Sequence, residues 1–266
     1  MTTPSASSSR IGALRIGLAA VVLAIVAAGA FGLWYIFLRP SGPAAVADAS
    51  LVVPSRAPAT SSAGSSAAAT SSGSSSSGTL SGGIDGTWNV DTSIGSFSDF
   101  SDSFVGYRVQ EQLASVGGNT AVGRTPAVSG SLTIAGTKVT AVTIQADLTG
   151  LKSDDNRRDG QLSHQGLETS TYPTATFSLS SPIDLVSVPA DGAEVSVTAT
   201  GKLTLHGQTK DVQIPLKAKL SGNTIVVTGS LEITFADYGI SKPNSFAVLS
   251  IADTGTLELQ LFFTKA

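Results

Sequence analysis

From Ile84 onward the chain repeats one pattern: apolar and polar residues alternate over run after run, and glycine-containing turns separate the runs. A period of two places successive side chains on opposite faces of an extended backbone, so each run reads as a half-buried β-strand. Val142, Ile144, Ala146 and Leu148 share one face, with Thr143, Gln145 and Asp147 on the other. The same holds for Val195, Val197, Ala199, Gly201, Leu203 and Leu205, and for Val212, Ile214, Leu216, Ala218 and Leu220. Ile225, Val227, Gly229, Leu231, Ile233 and Phe235 form another such face, and Leu257, Leu259, Leu261 and Phe263 the last. Each strand is expected to keep one wet side. Ala135-Gly136-Thr137, His206-Gly207-Gln208 and Ser221-Gly222-Asn223 predict hairpins between sequential neighbours.

Antiparallel strands with one apolar face must stack as a sandwich or close into a barrel. Ala146, Ala199, Gly201, Ala218 and Gly229 lie in mid-strand on apolar faces, where a filled core would favour Leu, Ile or Phe. Glycine there permits the bend of a closing sheet, and small side chains leave volume, so the reading is an all-β antiparallel barrel with an apolar lumen. The expected lining is Val142, Ile144, Ala146, Phe177, Val197, Ala199, Gly201, Leu203, Leu216, Ala218, Val227, Gly229 and Leu231. An alternative stays open, in which bulky neighbours from facing strands fill the space over the small residues.

One polar stretch, 151–172, breaks the alternation. Asp154 and Asp155 are placed to cap a short helix through Arg157, Arg158 and Asp159, with Leu162 and Leu167 as its anchors. A helical crossover beside a barrel mouth is expected.

Reactive side chains are scarce. The chain has no cysteine, hence no disulfide, thiol nucleophile or soft metal ligand. His164 and His206 have no second histidine or carboxylate at ligand spacing, and arginines beside Asp154, Asp155 and Asp159 mark an ion-pair cluster rather than an acid and base pair. With no nucleophile elbow or phosphate loop, neither an enzyme nor a cofactor is expected. From Ile84 on, 12 Lys and Arg face 18 Asp and Glu, a net charge of −6 that repels a phosphate backbone and argues against a nucleic-acid partner.

The preceding residues have a different composition. Ile16 to Leu38 are twenty-three residues without a charge. As a helix they span roughly 34 Å, enough for a hydrocarbon core of about 30 Å. Arg10, Arg15 and the amino group precede this stretch and Arg39 follows, so the charge bias predicts a cytoplasmic tail (1–15), a transmembrane helix (16–38) and everything later outside. Ala45-Val46-Ala47 offers a cleavage site, but the apolar run exceeds the roughly 7–15 residues of a signal core, so a retained single-pass anchor in the cell membrane is expected. Ala20, Ala24, Ala28 and Gly32 form a small-residue ladder that a weak homodimer would use, although alanine is common enough here for chance spacing. Residues 39–83, rich in Ser, Ala and Gly, read as a disordered linker with a reach of roughly 35 Å, and residues 84–266 as the folded domain.

Five pieces in order carry a family resemblance: Gly86-Thr87-Trp88-Asn89-Val90-Asp91, Asn156-Arg157-Arg158-Asp159, Tyr172-Pro173-Thr174-Ala175-Thr176-Phe177, Gly201 to Lys210, and Phe235-Ala236-Asp237-Tyr238-Gly239-Ile240. Together they resemble the YceI-like family. The resemblance implies a lipocalin-like antiparallel barrel of about eight strands with a polyisoprenoid or isoprenoid quinone in its lumen, outside the cytoplasm, acting as carrier and not catalyst. Where the family commonly has a histidine and then paired aromatics, this chain has Gln161 and Gly166-Leu167-Glu168, which implies a differently capped lumen. The competing reading is an envelope stress-response or interaction module with a packed barrel and no ligand.

Overall fold

The computed structural model of the protein describes residues 43–46, 52–54, 83–114, 117–243 and 248–266, all within one compact unit, Gly42–Ala266. The strands in chain order are β1 (Gly86–Val90), β2 (Phe104–Leu113), β3 (Gly117–Thr125), β4 (Val128–Ala135), β5 (Lys138–Asp147), β6 (Lys152–Ser153), β7 (Thr174–Leu179), β8 (Ile183–Asp184), β9 (Glu194–Leu205), β10 (Gln208–Ser221), β11 (Thr224–Thr234), β12 (Val248–Ile251) and β13 (Thr254–Lys265). Helix α1 (Asn156–Leu162) lies between β6 and β7, and a 3-10 turn (Phe235–Tyr238) follows β11. The expected anchor (16–38) and tail (1–15) lie outside the described residues. Among the described residues no helix is long and apolar enough to cross a membrane.

Eight strands close the expected barrel in the order β1-β4-β5-β7-β9-β10-β11-β13, and β13 returns to β1 through Trp88 opposite Lys265 and Val90 opposite Phe263. Every pairing is antiparallel. Strand β13 divides one edge between two partners: residues 263–265 pair with β1, while residues 256–260 pair with β2, from which β3 and β6 continue. The expected hairpins form. At the β9–β10 turn His206 and Gly207 have φ of 50° and 71°, a left-handed pair whose twist matches that of the strands it joins. Asp155 caps α1, its side chain accepting from the Arg157 N–H at 2.8 Å.

The expectation that each strand keeps a wet side fails on β2, β3, β11 and β13. Phe104, Val122, Val226 and Phe262 point away from the lumen yet are buried. Residues 91–103 cover this wall, with Ile94 packed on Val226 and Phe262, and Ser103 Oγ accepting from the Phe262 N–H at 3.0 Å. Two pieces of the stretch read as linker lie here as well: Val46 is buried, and Val53 packs against the Ile94, Val226 and Phe262 cluster.

Under this cover Asp102 is buried, with Oδ1 lacking a hydrogen-bond partner. Burial, reinforced by the Asp99 charge, outweighs a backbone hydrogen bond and the Arg124 charge and pushes its carboxyl from 3.8 up to about 6. An acid whose folded value is raised favours folding most when protonated, below the unfolded value, and loses that contribution as pH rises through the folded value. Asp102→Asn is therefore expected to be more stable than wild type at pH 7, with the gain shrinking to nothing near pH 4. Melting temperatures of both proteins from pH 4 to 7.5 check it, and parallel curves would refute it.

Candidate ligand lumen

The thirteen residues expected to line a lumen all lie on the inward face of the barrel. Val142, Ile144, Phe177, Val197, Ala199, Leu216 and Val227 belong to the cluster around Trp88, and Ala146, Leu203 and Leu231 to a second cluster around Leu205 and Tyr238. Gly201 stands opposite Val212 and Leu179, Gly229 opposite Leu216 and Leu259, and Ala218 opposite Val195 and Val227.

The two clusters sit at opposite ends. Trp88, Ile134, Val139, Ile225 and Phe263 are buried at one end, and Leu148, Leu151, Leu205, Ile233 and Tyr238 at the other. Between them the inward residues Val142, Ile144, Phe177, Val197, Leu216, Ala218, Val227, Leu231 and Leu259 are only half-buried. An inward side chain in a closed barrel is walled by strands all round, so it keeps accessible surface only where facing side chains fail to meet. The interior is thus not packed from end to end. On β9 and β10 the half-buried row runs out to the rim at Val195, Ala218 and Leu220.

The two glycines do not open that space in the way the sequence suggests. A methyl group on Gly201 would stand 2.4 Å from the Ser178 carbonyl oxygen and 2.5 Å from the Phe177 ring. One on Gly229 would stand 2.4 Å from Leu216 Cδ2 and 2.9 Å from the Pro215 carbonyl oxygen. Each glycine lets a cross-strand neighbour fold over it, so Phe177 and Leu216 fill the gaps and become the surface the lumen presents.

Most of the motif pieces converge at the helix end. His206 Nδ1 lies 3.0 Å from the Tyr238 carbonyl oxygen, Tyr172 packs on the imidazole with ring centroids 4.2 Å apart, and Glu168 Oε2 is 3.9 Å from Nε2. Arg158 bonds Glu111 at 2.6 Å and also pairs with Asp154, tying α1 to β2. Asp159 accepts from the Ser153 N–H at 2.9 Å. Tyr107 lies nearby with its hydroxyl buried and unbonded, and burial raises its phenol above the ordinary tyrosine range. No group of three or more metal-ligating side chains occurs among the described residues. These contacts seal an end, whereas the sequence predicts a mouth beside the helix. Leu148 and Leu151, flanking the tight turn before β6, supply the apolar part of that seal.

A match to the YceI-like domain runs over residues 88–263. The chain belongs to the YceI-like family. No curated protein matches it. Among solved structures, this YceI-like chain is similar to a polyisoprenoid binding domain from Saccharophagus degradans implicated in plant cell wall breakdown, with 22% identity, a TM-score of 0.52, and coverage of 68% of this chain and 99% of that one. It is also similar to Burkholderia cenocepacia BcnA, with 23% identity, a TM-score of 0.46 and coverage of 60% and 95%, and to a Campylobacter jejuni YCEI protein, with 16%, 0.44, 54% and 84%. In this YceI-like domain Trp88 pins the barrel seam, while the other motif pieces build the sealed end.

Sequence reasoning missed a charged group on the outer wall, where Arg108 and Arg124 both bond Glu258. Glu258 falls on the polar phase of β13 and reads as solvated, and its partners are 150 and 134 residues away. The unbroken apolar run Leu261-Phe262-Phe263 was the available signal that this wall is covered.

Proposed function

We propose that the protein is a membrane-tethered, extracytoplasmic lipid-binding protein that holds a polyisoprenoid or isoprenoid quinone in its barrel and does no chemistry on it. The observation that carries this reading is the row of half-buried inward apolar residues between two buried clusters. Family membership supports it, as does the polyisoprenoid binding of the Saccharophagus domain. Each methylene moved from water onto Val142, Ile144, Leu216 or Val227 contributes about 0.8 kcal/mol, so one five-carbon unit supplies several kcal/mol before ordering is charged against it. Entry is assigned to the rim at Val195, Ala218 and Leu220, opposite the sealed helix end.

Native mass spectrometry of gently purified protein, followed by incubation with a long-chain isoprenoid, tests the reading. Uptake of one lipid per barrel is expected, and Ala218→Trp should abolish it while leaving the fold intact. A wild-type barrel that never gains lipid mass would overturn carriage and favour the packed interaction module.

The tether rests on the uncharged stretch 16–38 and the positive charges before it. Protease added to intact cells should cut within residues 39–83. Full protection of that stretch, with the enzyme shown to be active on another surface protein, would reverse the orientation.

A further inference from the structure

Glu258 of β13 lies between Arg108 of β2 and Arg124 of β3. Arg108 Nε donates to Oε2 at 2.9 Å and Arg124 Nε to Oε1 at 2.7 Å, with the Arg124 and Glu258 side chains 4% and 1% exposed. One carboxylate cannot accept from every N–H of two guanidiniums. Arg124 is also held face-on, its guanidinium carbon 4.6 Å from the Phe100 ring centroid and 4.3 Å from that of Phe104. The arginines are therefore fixed by the barrel wall itself, with Arg124 Nη2 also 2.7 Å from Glu258 Oε1 and N–H groups left to donate elsewhere.

Residues 43–46 satisfy them. Arg124 Nη2 donates to the Ala44 carbonyl at 2.8 Å, Arg108 Nη2 donates to the Pro43 carbonyl, and Glu258 Oε2 accepts from the Val46 N–H at 3.3 Å. Val46 is itself only 3% exposed. All three polar contacts are to main-chain atoms, so charge and geometry select a short peptide segment and the sequence enters through the buried valine.

We propose that Arg108, Arg124 and Glu258 form a peptide clamp whose occupant is the chain's own segment 43–46, and that seating and release of this segment set the free length of the tether. Only four residues, 39–42, separate Pro43 from the apolar stretch. With the segment seated, the tether is counted from Pro43; with it released, the tether is counted from Val53, which packs on the Ile94, Val226 and Phe262 cluster, and so is longer by about ten residues. Three charge-assisted hydrogen bonds and one buried valine are set against the ordering of four residues, terms of similar size that leave both states within reach. The seating stands independently of the anchor reading, whereas its effect on the tether rests on that reading.

Hydrogen exchange of the full chain in detergent micelles tests the clamp. The Val46 amide is expected to exchange at least tenfold more slowly than amides in the serine-rich stretch 71–78. Val46→Asp sets a carboxylate beside Glu258 without altering the barrel, and Arg108→Gln removes one donor from the wall side. Both should bring the amides of residues 44–46 to the rate of 71–78 while β9 and β10 stay protected. Equal rates in the wild type, or protection that survives both variants, would overturn the proposal. Protection that fades on dilution would overturn it too, by showing that the occupant comes from a second copy. Protease protection of residues 39–83 in cells, with Val46 still slow, would remove the tether role alone.

Discussion

Trp88→Ala is expected to lower stability by about 3–5 kcal/mol, the usual range for deleting a large buried aromatic side chain. Trp88 is 0% exposed, and it stands on the strand that closes the barrel, opposite Lys265 on one side and Leu132 on the other. Its indole N–H donates to the Ile84 carbonyl at 2.8 Å, so the ring also holds the chain entering β1. Truncation removes the packing between β13 and β4 at the seam and leaves that carbonyl without its donor. For a domain of this size the melting temperature should fall on the order of 10 °C. Trp88→Phe should lose less, because it retains most of the apolar volume and forfeits mainly the hydrogen bond. Urea unfolding of the three proteins measures both, and a loss below about 1 kcal/mol for the alanine variant would show that the seam is held elsewhere.

Gly201→Ala should be damaging out of proportion to the one carbon it adds, at about 1–3 kcal/mol or somewhat more. The new methyl group would meet the Ser178 carbonyl oxygen at 2.4 Å, and backbone cannot step aside. It would also push the Phe177 ring off the strand and into the lumen. Gly229→Ala should cost less, because its nearest obstacle is the terminal methyl of Leu216, which can rotate into the partly empty interior. Thermal unfolding ranks the pair. The reverse ranking would mean that the β9 backbone yields more readily than a side chain, contrary to the close pairing of β7 with β9.

The barrel was legible because its pattern is local. Period-two alternation with Gly136, Gly207 and Gly222 at the turns specifies strand faces and hairpins from neighbouring residues alone, whereas the inward Val105 and Tyr107 of β2 lie in a run whose alternation is too weak to mark them. The meaning of the mid-strand glycines was not legible. Whether a missing side chain leaves a hole or a slot depends on how Phe177 and Leu216 on adjacent strands turn their side chains, which the alternation does not specify. The helix was placed correctly from Asp155 and Arg158, but its role as part of a sealed end required knowing where Leu148, Leu205 and Tyr238 converge. The outer wall was hidden for the opposite reason. Arg108, Arg124 and Glu258 look solvated because each is charged on a polar phase, and only residues 91–103 and 43–46, folding over them, make them interior.

The divided edge of β13 governs the order in which the molecule can be assembled. Strand β1 pairs with residues 263–265, and the same strand β13 joins β11 to β2, so the first and last strands of the domain meet at one seam. Such long-range pairing makes for slow folding, because a large loop must close before the contacts that reward it exist. Until β13 has been synthesised, β1, β2 and β11 each present an unpaired backbone edge, the kind of surface that recruits other chains. A nascent chain therefore passes through an open, adhesive sheet, and the twelve residues of β13 convert it in one step into a closed barrel.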